Sequence, residues 1–305
     1  MRARSWHRSH TFHHSEFPAE RLAARRRQTV SVCLPAREEE RTIGAIIRAL
    51  TPLRDAGAID QIVVVDASTD ATGQIARDLG AEVHSQNDLR PEMGPVLGKG
   101  DAMWRSLSVL TGEVVCFLDA DSEHFGPHFA CGLLGPLLCD SRISFVKGLY
   151  RRPFKVGGTT LPDGGGRVTE LTARPLLNLF YPDLAGVAQP LAGEIAARRD
   201  LLERLPFVTG YGVDIALLLD AYEAVGLDGI AQVDLDVRQN AHQPLRDLGP
   251  MAFAVMRAVA ARLEREGRLQ GPLPAAYLAP GSDELPGLGA EPVERPPLAS
   301  LRAAA

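Results

Sequence analysis

Residues 114–121 read Val-Val-Cys-Phe-Leu-Asp-Ala-Asp: five apolar side chains, then two carboxylates two residues apart. A short unbroken apolar run that stops at polar residues is the pattern of a strand buried on both faces. Upstream, residues 29–34 and 61–66 (QIVVVD) repeat that character, and residues 81–84 form a shorter strand-like stretch. Helical spacing fills the intervals over 41–50, 69–79 (with Thr69 or Ser68 near the N-cap) and 99–110, while polar residues 85–97 read as a loop. Strands alternating with helices of this length predict an α/β fold with a mostly parallel, doubly wound sheet. Ligands of such sheets collect outside the carboxyl ends of the strands. Asp119-Ala120-Asp121 stands at such an end.

The second half is less regular. A strand is predicted over 144–150 and another over 231–237, with helices near 167–180, 199–205, 213–225 and 250–267. Residues 151–166 are irregular and finish in three glycines; from 268 onward prolines and glycines dominate, which predicts a draped or disordered tail. Residues 1–28 carry arginines and four histidines, the composition of a partly mobile arm, with a metal-binding tract or a contact to a second subunit as the other uses. The expected division is an arm (1–28), a first half (29–150), a second half of the same domain (151–267) and a tail (268–305).

Length and composition fit one sizeable globular domain: 305 residues, 45% hydrophobic and 23% charged. A net charge of −5 argues against a general nucleic-acid binder. Cys33, Cys116, Cys131 and Cys139 form no CxxC pair, and three lie in apolar runs, as reduced core thiols of a cytoplasmic protein do. No apolar stretch is long enough to span a membrane, and the N-terminus lacks the apolar core of a signal peptide.

Several clusters could do chemistry. Asp119 and Asp121 can share one divalent cation with the phosphates of a ligand, although acidic pairs at strand ends also arise as solvated turns. Pro35-Ala36-Arg37-Glu38-Glu39-Glu40 and Asp66-Ala67-Ser68-Thr69-Asp70 serve equally as helix starts and as contacts to a nucleotide. Gly98-Lys99-Gly100 lets backbone approach a ligand and offers an ammonium to phosphate, without matching a P-loop. Gly164-Gly165-Gly166-Arg167-Val168-Thr169 opens a helix with free amides and an arginine, a natural site for phosphate or carboxylate and equally a plain glycine loop. Gly210-Tyr211-Gly212-Val213-Asp214 and Arg238-Gln239-Asn240-Ala241-His242 follow in the second half; a lone histidine is commonly structural, and His242 is of interest because a metal at Asp121 needs a further protein ligand.

In order and spacing these segments resemble the GT-A glycosyltransferases, specifically the actinobacterial glucosyl-3-phosphoglycerate and mannosyl-3-phosphoglycerate synthases. The resemblance runs from about residue 29 to 248 through LPAREEERTI, LGKGDAMWRSL, FLDADS, VKGLYRRP, GGGRVTEL, ARPLL, QPLAGE, LPFVTGYGVDIAL and QVDLDVR. It implies a GT-A sheet with a helical C-terminal acceptor part, and a retaining transfer of glucose or mannose from UDP-glucose or GDP-mannose to the 2-hydroxyl of D-3-phosphoglycerate. It also implies Mg2+, Mn2+ or a similar ion, a homodimer and a cytoplasmic location. By motif, Pro35, Ala36, Arg37, Glu39 and Ser68 would surround the nucleotide, and Lys99 and Asp119 would hold the diphosphate sugar. Asp121 and His242 would bind metal, Gly166, Arg167 and Thr169 the acceptor, while Leu191, Tyr211 and Asp214 would border the transferred sugar.

Three departures stand out. DASTD is one residue shorter than the family's DSGSTD, and Asp214 replaces a glutamate. Asn240 occupies the position of the family's metal histidine, with His242 two residues on. A polyprenyl-phosphate sugar synthase and a non-catalytic nucleotide-sugar-binding protein are the alternative readings.

Overall fold

The computed structural model describes residues 2–156, 159–161, 164–239, 243–271 and 293–303. From the N-terminus run α1 (Arg2–Ser9), β1 (Thr11–His13), α2 (Ala19–Arg25), β2 (Val30–Ala36), α3 (Ile43–Asp55), β3 (Gln61–Asp66), α4 (Thr72–Asp78) and β4 (Glu82–Ser85). The middle of the chain holds α5 (Lys99–Ser106), β5 (Val114–Phe117), α6 (His128–Cys139), β6 (Phe145–Arg151), and a hairpin of β7 (Phe154–Val156) and β8 (Thr159–Leu161). A π-helical turn (Thr169–Ala173) then leads into α7 (Arg174–Phe180), β9 (Ile195–Arg198), α8 (Arg199–Arg204), β10 (Phe207–Val208), α9 (Val213–Val225), β11 (Ile230–Val237) and α10 (Leu245–Arg265). Last come β12 (Glu294–Arg295) and α11 (Leu298–Ala303).

Eight strands form the main sheet in the order β1-β11-β6-β9-β5-β2-β3-β4. Every pairing is parallel except those of β9, which runs antiparallel to both β5 and β6. The chain leaves β2 toward β3 and β4, then crosses back so that β5 lies on the other side of β2. That reversal opens a crevice between the carboxyl ends of β2 and β5. Because β9 is reversed, its amino end sits beside the carboxyl end of β5 and delivers residues 191–194 to the same crevice.

The apolar runs alternate between two cores. Cys33, Val63, Val65, Val115 and Phe117 pack on one face of the sheet, with Trp104, Phe145 and Leu217. Val32, Leu34, Val64, Val114, Cys116 and Leu118 pack on the other, with Ile46, Phe129 and Leu133. Cys33, Cys116 and Cys131 are buried free thiols, and Cys139 is exposed.

Three regions differ from the sequence expectation. Residues 2–25, expected as a loose arm, extend the sheet: β1 pairs with β11, while Trp6, Phe17 and Leu22 are buried. Trp6 Nε1 donates to the carbonyls of Leu227 (2.9 Å) and Ile230 (3.1 Å). Arginine-rich composition hid these few apolar anchors. Residues 293–303, expected as tail, strap onto the body through pairing of β12 with β10. There Arg295 reaches the fully buried Asp101 at 2.8 Å and Trp104 Nε1 donates to the Pro296 carbonyl. The helix expected from residue 250 begins at Leu245 and carries Pro250 as its sixth residue, where the missing N–H leaves the Arg246 carbonyl without its intrahelical donor.

Candidate active site

Pro35 and Ala36 end β2 and lead straight into Arg37, on one wall of a cleft of about 800 Å³. Its other linings come from the loop before α5, the end of β5, the segment before β9, the glycine loop before the π-helical turn, and the start of α9. Of the residues singled out in the sequence, Pro35, Ala36, Arg37, Glu39, Lys99, Asp119, Asp121, Gly166, Arg167, Thr169, Leu191, Tyr211 and Asp214 all line this cleft. Ser68 does not; its Oγ accepts the Glu38 amide at 2.8 Å and staples the β2 loop to the β3 loop. The shortened DASTD turn spends that hydroxyl on the scaffold, and Ala67 lines the cleft instead. His242 and Asn240 lie outside the described residues.

The β2 loop is held from behind. Glu38 adopts φ 58°, and its carboxylate accepts from the Thr69 amide at 2.9 Å, while the Glu39 amide donates to Thr72 Oγ1 at 2.8 Å. Thr42 ties this loop to the carboxylate pair, donating to the Ala120 carbonyl at 2.6 Å.

Charge on the cleft floor is arranged around Asp119. Lys99 Nζ donates to Asp119 Oδ1 at 2.6 Å and lies 3.6 Å from Asp214 Oδ1. Arg238, at the end of β11, donates to Asp119 Oδ2 at 3.0 Å and to Asp121 Oδ1 at 2.5 Å. Burial opposes the charge on Asp119, yet Lys99 and Arg238 hold its carboxyl well below the usual range. Burial likewise works against Lys99, and the carboxylates of Asp119 and Asp214 keep it charged.

Glycines make these contacts possible. A Cβ on Gly193 would lie 2.4 Å from both Asp119 Oδ2 and Lys99 Nζ, and one on Gly100 would lie 1.9 Å from the Val208 carbonyl. Gly98 has φ 101° and turns the chain into α5, so Lys99 starts the helix facing the cleft.

Two buried groups beneath the floor were not picked out from sequence. Glu194 Oε1 meets Arg238 Nε at 2.7 Å, and its Oε2 accepts from Tyr150 Oη at 2.7 Å. Lys147 Nζ donates to the carbonyls of Ala192 (2.8 Å) and Asp214 (3.3 Å), and burial pulls it down to about 8. The legible signal was a lone charge within an apolar strand pattern, in FVKGLY and AGEIAA, since a buried charge persists only with partners.

On the glycine-loop side of the cleft, Gly166 takes φ 72° ahead of the turn at Thr169. Arg167 rests over the Phe154 ring at 5.0 Å and donates to the Gln243 carbonyl at 2.6 Å. Arg152 also lines this side. An anion here would meet helix-start amides and guanidinium groups, the opposite electrostatic character to the carboxylate pair.

The model of glycosyl transferase family 2 matches residues 31–137, the stretch from β2 through α6. Glucosyl-3-phosphoglycerate synthase of Mycolicibacterium smegmatis is 44% identical over 283 residues, 92% of each chain. Mannosyl-3-phosphoglycerate synthase of Rubrobacter xylanophilus is 47% identical, and its crystal structure superposes with a TM-score of 0.88 over 98% of each chain. The chain belongs to the glucosyl- and mannosyl-3-phosphoglycerate synthase family. As a member of this family it is a glycosyltransferase with the GT-A fold expected from sequence. The synthase of Mycobacterium tuberculosis, crystallised with Mn2+, UDP-glucose and phosphoglyceric acid, superposes at a TM-score of 0.83 and 41% identity, covering 96% of this chain and 99% of that one.

Proposed function

We propose that this chain transfers glucose from UDP-glucose, or mannose from GDP-mannose, to the 2-hydroxyl of D-3-phosphoglycerate with retention at the anomeric carbon. The observation that carries the reading is one cleft lined both by the Asp119–Asp121 carboxylate pair and by the Gly166-Arg167-Thr169 helix start. Pro35, Ala36, Arg37 and Glu39 hold the nucleotide, and Lys99 sets an ammonium beside the diphosphate. Gly166, Arg167 and Thr169 hold the acceptor phosphate and carboxylate, converting an encounter into a positioned approach. Leu191, Tyr211 and Asp214 border the sugar.

The residues present fit a hard divalent cation. Glu39 is pushed up by its own burial and then by the negative charge of Asp121 and Asp119, which marks a surplus of anionic field at the cleft mouth. In this reading Asp121, with His242, holds Mg2+ or Mn2+. Such an ion, when bound, offsets negative charge on the departing diphosphate. Asp119, Asp214 and Glu194 each face a cation from Lys99 or Arg238, which favours direct attack by the acceptor hydroxyl over a covalent intermediate on a carboxylate.

The reading includes a cytoplasmic homodimer, in keeping with the buried free thiols. No helix among the described residues is long and apolar enough to cross a membrane. Purified protein given UDP-glucose or GDP-mannose with 3-phosphoglycerate and Mg2+ should release nucleoside diphosphate and form a phosphorylated α-linked hexosylglycerate, identified by mass and by the one-bond carbon–proton coupling at the anomeric centre. Donor binding with no product from phosphoglycerate would refute the acceptor, and an inverted anomer would refute retention.

A further inference from the structure

Far along the sheet from Asp119's β5, β1 ends at His13 and a tight turn, His14–Glu16, follows beside the carboxyl end of β11. Ring nitrogens of His13 and His14 and a carboxylate oxygen of Asp236 converge there, all within 4.8 Å of one another. His14 Nε2 lies 2.7 Å from Asp236 Oδ2, and His13 Nε2 lies 3.5 Å from Oδ1.

Local structure aims all three groups. Asp236 has φ 66°, a conformation that non-glycine residues adopt at a cost, and it sits where β11 breaks register against β6 between Asp234 and Val237. Its amide donates to Asp234 Oδ1 at 2.9 Å. On the opposite side, the His13 amide donates to Glu16 Oε1 at 2.7 Å, and Ser15 Oγ lies 2.8 Å from His13 Nδ1. The Nε2 edge of His13 is therefore the one turned toward Asp236. The His128 ring packs 4.6 Å from that of His14 and backs it from the α6 side.

We infer that His13, His14 and Asp236 form a second metal site, for a borderline divalent transition-metal ion of the Zn2+, Co2+ or Ni2+ class. Two imidazoles and one carboxylate are a three-ligand set that leaves a position for water, and nitrogen donors favour these ions over Mg2+. Bonds of about 2.0–2.1 Å at tetrahedral angles put ligand atoms about 3.3 Å apart. The two rings approach opposite oxygens of Asp236, so the carboxylate stands between them and a modest turn of its plane sets one oxygen at that spacing from both. Side-chain exposures of 44% for His13 and 50% for Asp236 give the ion access from solvent. Arg238 follows Asp236 by two residues, so a bound ion pins the N-terminal segment to the bulge that delivers Arg238 to the cleft.

The test is calorimetric titration of the untagged full-length chain with Zn2+ in excess Mg2+, in an Asp121→Asn background that disables the carboxylate pair. One equivalent of Zn2+ should bind, raise the thermal midpoint, and be replaceable by Co2+ with visible absorption of a low-coordinate site. His14→Gln and Asp236→Asn should weaken binding by at least about 100-fold, more than loss of an outer partner costs. His13→Gln, at the more exposed of the two histidines, should do the same while melting normally without metal. Absence of stoichiometric Zn2+ uptake by the parent, or variants that melt normally and bind as the parent does, would overturn the site and leave these residues as an ion-pair cluster.

Discussion

Arg238 Nε lies 2.7 Å from Glu194 Oε1 in a pair whose side chains are 2% and 1% exposed. The same guanidinium turns its Nη2 outward to Asp119 and Asp121. A buried carboxylate thus fixes, from below, the cation that spaces the two cleft carboxylates. Glu194→Ala should cost about 1–3 kcal/mol in urea unfolding, because it leaves the buried Arg238 Nε and Tyr150 Oη without their acceptor while Asp119 and Asp121 still offset the guanidinium charge. A loss below about 1 kcal/mol would show that Arg238 finds its place without Glu194.

Gly193 tests the geometry more finely. A methyl group there forces apart Lys99 and Asp119, and displacements near 1 Å at a reacting centre cost about 100-fold in rate. Gly193→Ala should lower kcat by about that factor at saturating substrates. Wild-type kcat in a folded variant would mean the Lys99–Asp119 contact has no bearing on turnover.

Lys147 gives a pH dependence. Its folded value of about 8 lies below the 10.5 of an unburied lysine. Below about pH 8 both states hold the proton and the burial cost is fully present. Between about 8 and 10.5 the unfolded chain binds more proton, so this residue's contribution to stability rises with pH. Relative to Lys147→Met, the wild type should therefore gain up to about 3 kcal/mol across that window in urea midpoints. A constant difference between the two proteins contradicts the assignment.

Much of this was readable beforehand. Gln61–Asp66 and Val213–Val225 are the elements expected from periodicity, and the Asp119-Ala120-Asp121 triplet sits at the strand end where apolar patterning put it. What escaped notice was short or non-local. β9 is four residues long with weak alternation, so its reversed direction, which brings Glu194 under Asp119, left no periodic trace. Glu194 and Lys147 find their partners only through the sheet order. Ser68 sat in a familiar motif, yet its hydroxyl accepts the Glu38 amide rather than facing the cleft.

The N-terminal segment makes the same point about anchors. Trp6 is 2% exposed and donates to two carbonyls, so Trp6→Ala should destabilise the chain by about 3–5 kcal/mol. A cost under about 1 kcal/mol in urea unfolding would restore the picture of a loose arm.

The most direct test is turnover of Asp121→Ala with nucleotide sugar and 3-phosphoglycerate at saturating Mg2+ or Mn2+. Loss of one group that stabilises developing charge costs about 100- to 1000-fold, and kcat should fall at least that far while the fold melts normally. Wild-type turnover in this variant would contradict a cation-assisted transfer centred on the Asp119–Asp121 pair.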